Sequence, residues 1–205
     1  MKLEDIKTIG VVGAGTMGQG IAQICAQAGY KTILFDINSQ VLQKAEATTV
    51  KNLDKGIERG KLTEQEKQTT LENLTFTSDT LHLICDVIIE AIVEKLEVKQ
   101  SVFRELADIN TPDTILASNT SSIPITQIAA AIPNPERVVG MHFFNPAHIM
   151  KLVEVISGAA TAPEIAETIK QLAEKLGKVA VMAKDSPGFI VNRVARHFYV
   201  EGLKL

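Results

Sequence analysis

Residues 8–36 read TIGVVGAGTMGQGIAQICAQAGYKTILFD, and this stretch decides the fold. A short β-rich run, Thr8 to Val12, meets three glycines spaced G-x-G-x-x-G at Gly13, Gly15 and Gly18. A helical pattern follows from Thr16 to Ala28, and then a second β-rich run that ends on Asp36. Strand, glycine turn and helix in that order lift the motif above a chance glycine-rich turn. Gly13 permits the tight turn, Gly15 lets the backbone approach a pyrophosphate, and Gly18 lets helix and strand pack closely. Thr16 and Met17 open the helix, whose free N–H groups and positive partial charge face the phosphates. Asp36 stands where an acid receives the adenosine ribose 2′-hydroxyl. A carboxylate there repels a 2′-phosphate, which favours NAD over NADP. FAD fits the same context, but no further flavin signature accompanies it.

Outward from this unit the alternation continues. Further β-rich runs are Leu74 to Thr77, Val87 to Ile92, Ile115 to Ala117, Val138 to Phe143, Leu152 to Ile156 and Val179 to Ala183. Helical patterns cover Leu96 to Ile109, Ile125 to Ile132 and Pro163 to Leu176. The pattern predicts an α/β, Rossmann-like, doubly wound and mostly parallel sheet. The interval 39–73 is polar and helical in flavour, with a break at RGKLT. It predicts a helical hairpin inserted after the second strand, one helix to about Arg59 and a shorter one from Thr63. At the end, DSPGFIVNRVARHFYVEGLKL offers Asp185 or Ser186 as an N-cap, with a proline in the first turn. Apolar residues at helical spacing follow to Leu205. The expected division is a cofactor domain over 1–185 and, over 186–205, the first helix of an all-α second domain. Such an apolar helix needs a cover, either another copy or more chain.

The chain has 205 residues, 45% hydrophobic and 22% charged, with a net charge of −3. That suits one globular domain with a real core. No basic stripe stands out, which argues against a nucleic-acid partner. Cys25 and Cys85 form no disulfide framework, so a reduced, cytoplasmic setting is the simpler reading. No signal peptide, membrane span or metal-ligand cluster is expected.

The catalytic candidates lie in two apolar segments. In HFFNPAHIMKLVEV, residues 142–155, an imidazole opens the first run and a carboxylate sits near the end of the next. Asn145, Pro146 and Ala147 read as a turn. A reversal around His148 leaves His142 and Glu154 equidistant from it, so antiparallel pairing brings the two together. A base held by a carboxylate is the arrangement of general acid–base catalysis. A structural His–Glu pair, or a Glu154 facing water, fits the spacing as well. ASNTSS, residues 117–122, follows another strand, which puts its polar side chains at the sheet's carboxyl edge, where open α/β sheets bind ligands.

GAGTMG, EAIVEKLEVK, ASNTSS, HFFNPAHIMKLVEV and DSPGFIVNR occur in this order over essentially the whole chain. Together they resemble the 3-hydroxyacyl-CoA dehydrogenase family, particularly bacterial 3-hydroxybutyryl-CoA dehydrogenases. The resemblance implies NAD-dependent oxidation of L-3-hydroxyacyl-CoA to 3-ketoacyl-CoA. It implies His142 as base, Glu154 as its orienting carboxylate, and Ser121 as a contact of the substrate oxygen. It makes Asn145 and Asn192 active-site asparagines and puts Glu94 and Lys99 on the NAD side of the site. It assigns the helical hairpin to CoA, with Lys51 and Lys55 as phosphate contacts; a solvated helix face fits those two lysines equally. His148 stands where the family often has proline. The family continues for about a hundred residues more, a helical domain that makes the dimer contact and closes over the acyl chain. Two rivals remain open: a dinucleotide-binding module without activity, and another β-hydroxyacid dehydrogenase. The second places a lysine on the interdomain helix, where this chain has Asn192 and Arg193.

Overall fold

The structure is a computed structural model that describes residues 1–203. The expected last helix was drawn to Leu205; residues 204 and 205 lie outside the described part.

Eight strands form one sheet: β1 (Thr8–Val12), β2 (Lys31–Phe35), β3 (Leu74–Thr77), β4 (Val87–Glu90), β5 (Ile115–Ser118), β6 (Val138–Phe143), β7 (Leu152–Ser157) and β8 (Val179–Lys184). Their order is β3-β2-β1-β4-β5-β6-β7-β8. All neighbours run parallel except β6 and β7, which pair antiparallel. The doubly wound reading therefore holds, with the last two strands reversed. Strand order switches direction between β1 and β4, which opens a crevice at their carboxyl ends.

The inner strands β1 and β4 to β7 are buried on both sides, as parallel sheets require, while β8 at the edge leaves Val179 and Met182 exposed. On one face, Ile9, Val11, Ile89 and Met141 meet α1 (Thr16–Gln27) and α6 (Pro163–Lys175). On the other, Ile88, Leu116 and Val138 meet α4 (Leu96–Ile109) and α5 (Ile125–Ala129). The inserted hairpin is α2 (Ser39–Glu58) and α3 (Glu64–Glu72). Asn38 caps α2 through its side-chain oxygen, and Thr63 with Glu66 forms a capping box on α3. At 20 residues α2 is about 30 Å long. It fully buries only Leu42, Ala45, Thr49 and Leu53, a single stripe flanked by half-buried residues, and its opposite face stands in solvent.

Several boundaries differ from expectation. β4 stops at Glu90 rather than Ile92, because the Ile92 amide turns to the Glu90 carboxylate. α5 ends at Ala129, three residues short of the expected end. The last helix, α7, begins only at Val191, with Ile190 at the N-cap position. Neither Asp185 nor Ser186 caps it. Asp185 instead accepts from the amides of Ile125 and Thr126, the start of α5. None of the α7 residues is buried.

Candidate active site

At the β1–α1 turn, Gly13 has φ +99, and a Cβ there would lie 2.8 Å from the Ala91 carbonyl oxygen. A Cβ on Gly18 would fall 1.7 Å from the Gly13 carbonyl oxygen, so helix and turn pack in a way that only glycine allows. Gly15 is the α1 N-cap, no side chain caps that helix, and nothing lies within 4 Å of where its Cβ would be. Orphan N–H groups thus meet open space, the arrangement that accepts a phosphate. Gly13, Gly15, Thr16, Met17 and Asp36 line a cavity of about 570 Å³, walled by Val12, Ile92, Val98 and other apolar side chains. Asp36 Oδ2 accepts from the Ala14 amide at 2.8 Å, and Oδ1 from the Asn38 amide at 2.9 Å. The carboxylate thereby braces the glycine turn while it faces the cavity. A slot with an uncapped helix end, a glycine floor and an acid at the end of β2 fits a dinucleotide.

Met17, Ala91 and Ile92 are shared with a second cavity of about 380 Å³. Glu94, Asn119, Ser121, His142, Asn145 and Asn192 line it. β6 and β7 place His142 opposite Glu154 in register. His142 Nδ1 lies 2.7 Å from Glu154 Oε2, and both side chains are buried. The carboxylate accepts, so Nδ1 carries a proton, and in the neutral form of the ring the lone pair lies on Nε2. Among the described residues, no side chain or amide hydrogen-bonds to Nε2. Phe144 and Phe189 flank the ring at 4.6 and 5.8 Å between centroids.

Glu154 does more than the sequence suggests. Its Oε1 accepts from the Ile190 and Val191 amides, both at 2.9 Å. A carboxylate on the sheet therefore caps α7, and the positive helix end supports its charge. Asn192, in the first turn of α7, donates from Nδ2 to the Ser121 carbonyl oxygen at 3.2 Å. Asn119 Oδ1 accepts from the Phe143 amide and braces the loop beside His142.

Glu94 and Lys99 stand differently from each other. Glu94 lines the second cavity; its Oε1 accepts from Thr120 Oγ1 at 2.7 Å, from the Ser121 amide at 2.8 Å and from Ser121 Oγ at 3.2 Å. Lys99 is fully buried and lines neither cavity. Its Nζ donates to Glu90 Oε1 at 2.6 Å and reaches Glu94 Oε2 at 3.2 Å. Glu90, also fully buried, accepts from Ser118 Oγ as well. Sequence reasoning passed over Glu90, although a carboxylate closing the apolar run VIIE is the same signal that Glu154 gives in LVEV.

A third cavity, about 380 Å³, lies between α1, the hairpin and the β6–β7 loop. Lys55, Arg59, Lys61 and His148 line it, and no acidic side chain does. Lys51 is exposed and lies outside it. Burial, and after it the nearby Lys178 ammonium, lowers the His148 pKa below the usual imidazole value. Lys178 Nζ donates to the carbonyl oxygens of Ala147 and Met150 and so pins that loop. Cys25 and Cys85 are free and buried, no cluster of potential metal ligands occurs among the described residues, and no helix among them is long and apolar enough to cross a membrane.

Sheet order, glycine turn and paired cavities define a Rossmann-type dinucleotide-binding domain with a buried His–Glu contact beside them. The chain belongs to the 3-hydroxyacyl-CoA dehydrogenase family: residues 8–186 match the family model described as 3-hydroxyacyl-CoA dehydrogenase, NAD binding domain. It is 48% identical over 199 residues to a 3-hydroxyadipyl-CoA dehydrogenase of Escherichia coli K12, covering 96% of this chain and 42% of the relative. To a probable 3-hydroxybutyryl-CoA dehydrogenase of Bacillus subtilis it is 47% identical, covering 93% and 67%. The crystal structure of an (S)-3-hydroxybutyryl-CoA dehydrogenase from Ralstonia eutropha superposes with a TM-score of 0.92 at 40% identity, covering 97% and 73%. The chain thus spans between 42% and 73% of the length of these relatives.

Proposed function

We propose that this chain carries the NAD-binding domain and the acid–base pair of a dehydrogenase that interconverts L-3-hydroxyacyl-CoA and 3-ketoacyl-CoA, with short acyl chains such as 3-hydroxybutyryl. The observation that carries this reading is the His142–Glu154 contact at 2.7 Å, beside a cavity that shares Met17, Ala91 and Ile92 with the glycine-turn cavity. NAD, when bound, supplies the hydride acceptor. Everything else falls to the chain. Glu154 holds the proton on Nδ1, which leaves Nε2 to take the proton of the substrate 3-hydroxyl; in the reverse direction Nε2 returns it to the ketone. On this reading Ser121 and Asn192 position that oxygen; both line the cavity beside His142, and Asn192 Nδ2 donates to the Ser121 carbonyl oxygen. Asn145 lines the same cavity. Phe144 and Phe189 keep water from the ring.

The acid-free basic cavity under the hairpin supports the CoA assignment, with Lys55 as a phosphate contact. Lys51 is exposed and could reach phosphate only from outside that cavity. The same reading divides the chain near Asp185, with α7 as the first helix of a helical unit through which two copies would pair. Two unpaired buried thiols support a reducing, cytoplasmic setting.

The test is His142→Gln. NADH binding should persist, while NADH-dependent reduction of acetoacetyl-CoA should fall by about 10² to 10⁴. Unchanged turnover removes His142 from the mechanism. A second reading has its own observation: the chain spans only part of its relatives, and α7 buries none of its residues. On that reading this stretch binds the dinucleotide without turning over substrate. An assay at high protein concentration with acetoacetyl-CoA and NADH separates the two.

A further inference from the structure

The cavity beside His142 is electrically lopsided. Its lining includes Glu94 and no lysine or arginine. Behind Glu94 lie Lys99 and Glu90, so the trio holds two carboxylates against one ammonium. The ammonium sits closer to Glu90, at 2.6 Å against 3.2 Å, and both of those side chains are shut away from solvent. Lys99 therefore neutralises Glu90 first, and the charge left over is that of Glu94, the one member at the cavity wall. Donors keep that carboxylate ionised. Burial by itself would raise its pKa, but Thr120 Oγ1, the Ser121 amide and the Lys99 ammonium outweigh burial and hold it below the ordinary carboxylate value.

The cofactor reading places a particular chemical group in front of this charge. The two cavities share Met17, Ala91 and Ile92, and His142, the proton acceptor of the proposed function, lines the second. A dinucleotide bound by its pyrophosphate at the glycine turn must bring its reactive ring there for hydride transfer to occur beside His142. That ring is a cation in NAD⁺ and neutral in NADH. A carboxylate in a partly enclosed cavity discriminates between the two by Coulomb attraction alone, which is strengthened where water is excluded.

We propose that Glu94 is a specificity-determining residue for the oxidation state of the cofactor: its carboxylate favours the cationic nicotinamide of NAD⁺ over the neutral dihydronicotinamide of NADH. The inference rests on the cofactor reading above and goes beyond it, because that reading needs only a contact and not a preference. Lys99 and Glu90 act through Glu94 as positioning residues. A purely structural Glu94, one that only shapes the Ser121–Ser122 loop, makes a different prediction. Its loss would weaken both oxidation states equally.

The full chain is titrated by calorimetry with NAD⁺, with NADH and with ADP-ribose, which lacks the ring. In Glu94→Gln the ratio of NAD⁺ to NADH affinity should fall by about five- to tenfold, the scale of one partly screened charge contact. ADP-ribose affinity should stay unchanged, which reports an intact fold and glycine turn. Glu94→Asp keeps the charge and should keep most of the preference. Glu94→Ala removes the charge without placing an amide beside Lys99 and should show the same fall as Glu94→Gln. An unmoved ratio in both neutral variants, or equal weakening of both dinucleotides, overturns the inference and leaves the cofactor reading standing. A wild-type chain that binds none of the three ligands overturns the cofactor reading, and this inference with it.

Discussion

At the scale of single residues, Glu154 has both carboxylate oxygens engaged. One oxygen receives His142 Nδ1–H and the other receives two amides at the start of α7. This makes Glu154→Gln an informative change. The amide oxygen must stay with the Ile190 and Val191 N–H groups, since both are donors. The NH₂ group then faces Nδ1, which must become an acceptor, and the ring proton moves to Nε2. The imidazole is left unable to take a proton from substrate. On the proposed function, oxidation of L-3-hydroxybutyryl-CoA should drop by about 10² to 10⁴ while the fold persists, since the swap is isosteric. ¹⁵N spectra of the imidazole should show the tautomer reversed; an Nδ1–H retained in the variant refutes the argument even if activity falls. The cysteines offer a simpler test of burial. Desolvation pushes the Cys25 and Cys85 thiols up to about 12, against a smaller opposing pull from Lys178 on Cys25 and a reinforcing push from Asp86 on Cys85. Thiolate is the reactive form, so neither should react with Ellman's reagent at pH 8 in the native chain. Both should react after unfolding in guanidinium; rapid native labelling contradicts the burial.

At the scale of elements, the instructive case is Asp185. Read locally, Asp-Ser-Pro before an apolar helical pattern is a helix start. In three dimensions the carboxylate faces α5, which lies some sixty positions back in the chain, and takes two of its amides together with Thr126 Oγ1 at 2.6 Å. Helix α7 finds its acceptor instead in Glu154, on a strand. Local spacing specifies that a helix will form but not which carboxylate serves which helix end, since those pairings are made across the sheet. Asp185→Ala should therefore destabilise the chain by about 1–3 kcal/mol in urea unfolding, because it strands two amides and a hydroxyl of α5. It should leave the helical content of α7 unchanged by circular dichroism. Loss of α7 signal with little change in stability would restore the local reading. The same limit explains Glu90 and Lys99. Glycine spacing exposes the turn, and the juxtaposition of positions 142 and 154 is legible because the β6–β7 reversal is symmetric about His148; the order of the strands is not. The Glu90–Lys99 pair joins the end of β4 to the first turn of α4, and no sequence period encodes it.

At the scale of the whole molecule, the sheet with α1 to α6 forms a closed unit, and α7 does not. The inner strands bury both faces, whereas Val194 and Phe198 on α7 remain 67% and 79% exposed and Tyr199 and Leu203 lie open beside them. The apolar stripe of α7 is legible in the sequence, and so is its need for a cover from outside; what that cover is, another copy or more chain, is not, because cover is a property of neighbours. The consequence is energetic. Apolar groups that stay in water contribute nothing to folding, since the hydrophobic gain scales with area removed from solvent. The double change Val194→Ser and Phe198→Ser should shift the unfolding free energy of this chain by less than about 0.5 kcal/mol, as surface changes do. The midpoint should also be independent of protein concentration. If two copies instead pair through this face, the double variant unfolds earlier and the wild-type midpoint rises with concentration. In a longer chain that supplies a helical cover, the same two changes become core changes and should cost about 1–3 kcal/mol each. The contrast between the two backgrounds measures how much of the stability of α7 resides outside the 205 residues described by the sequence.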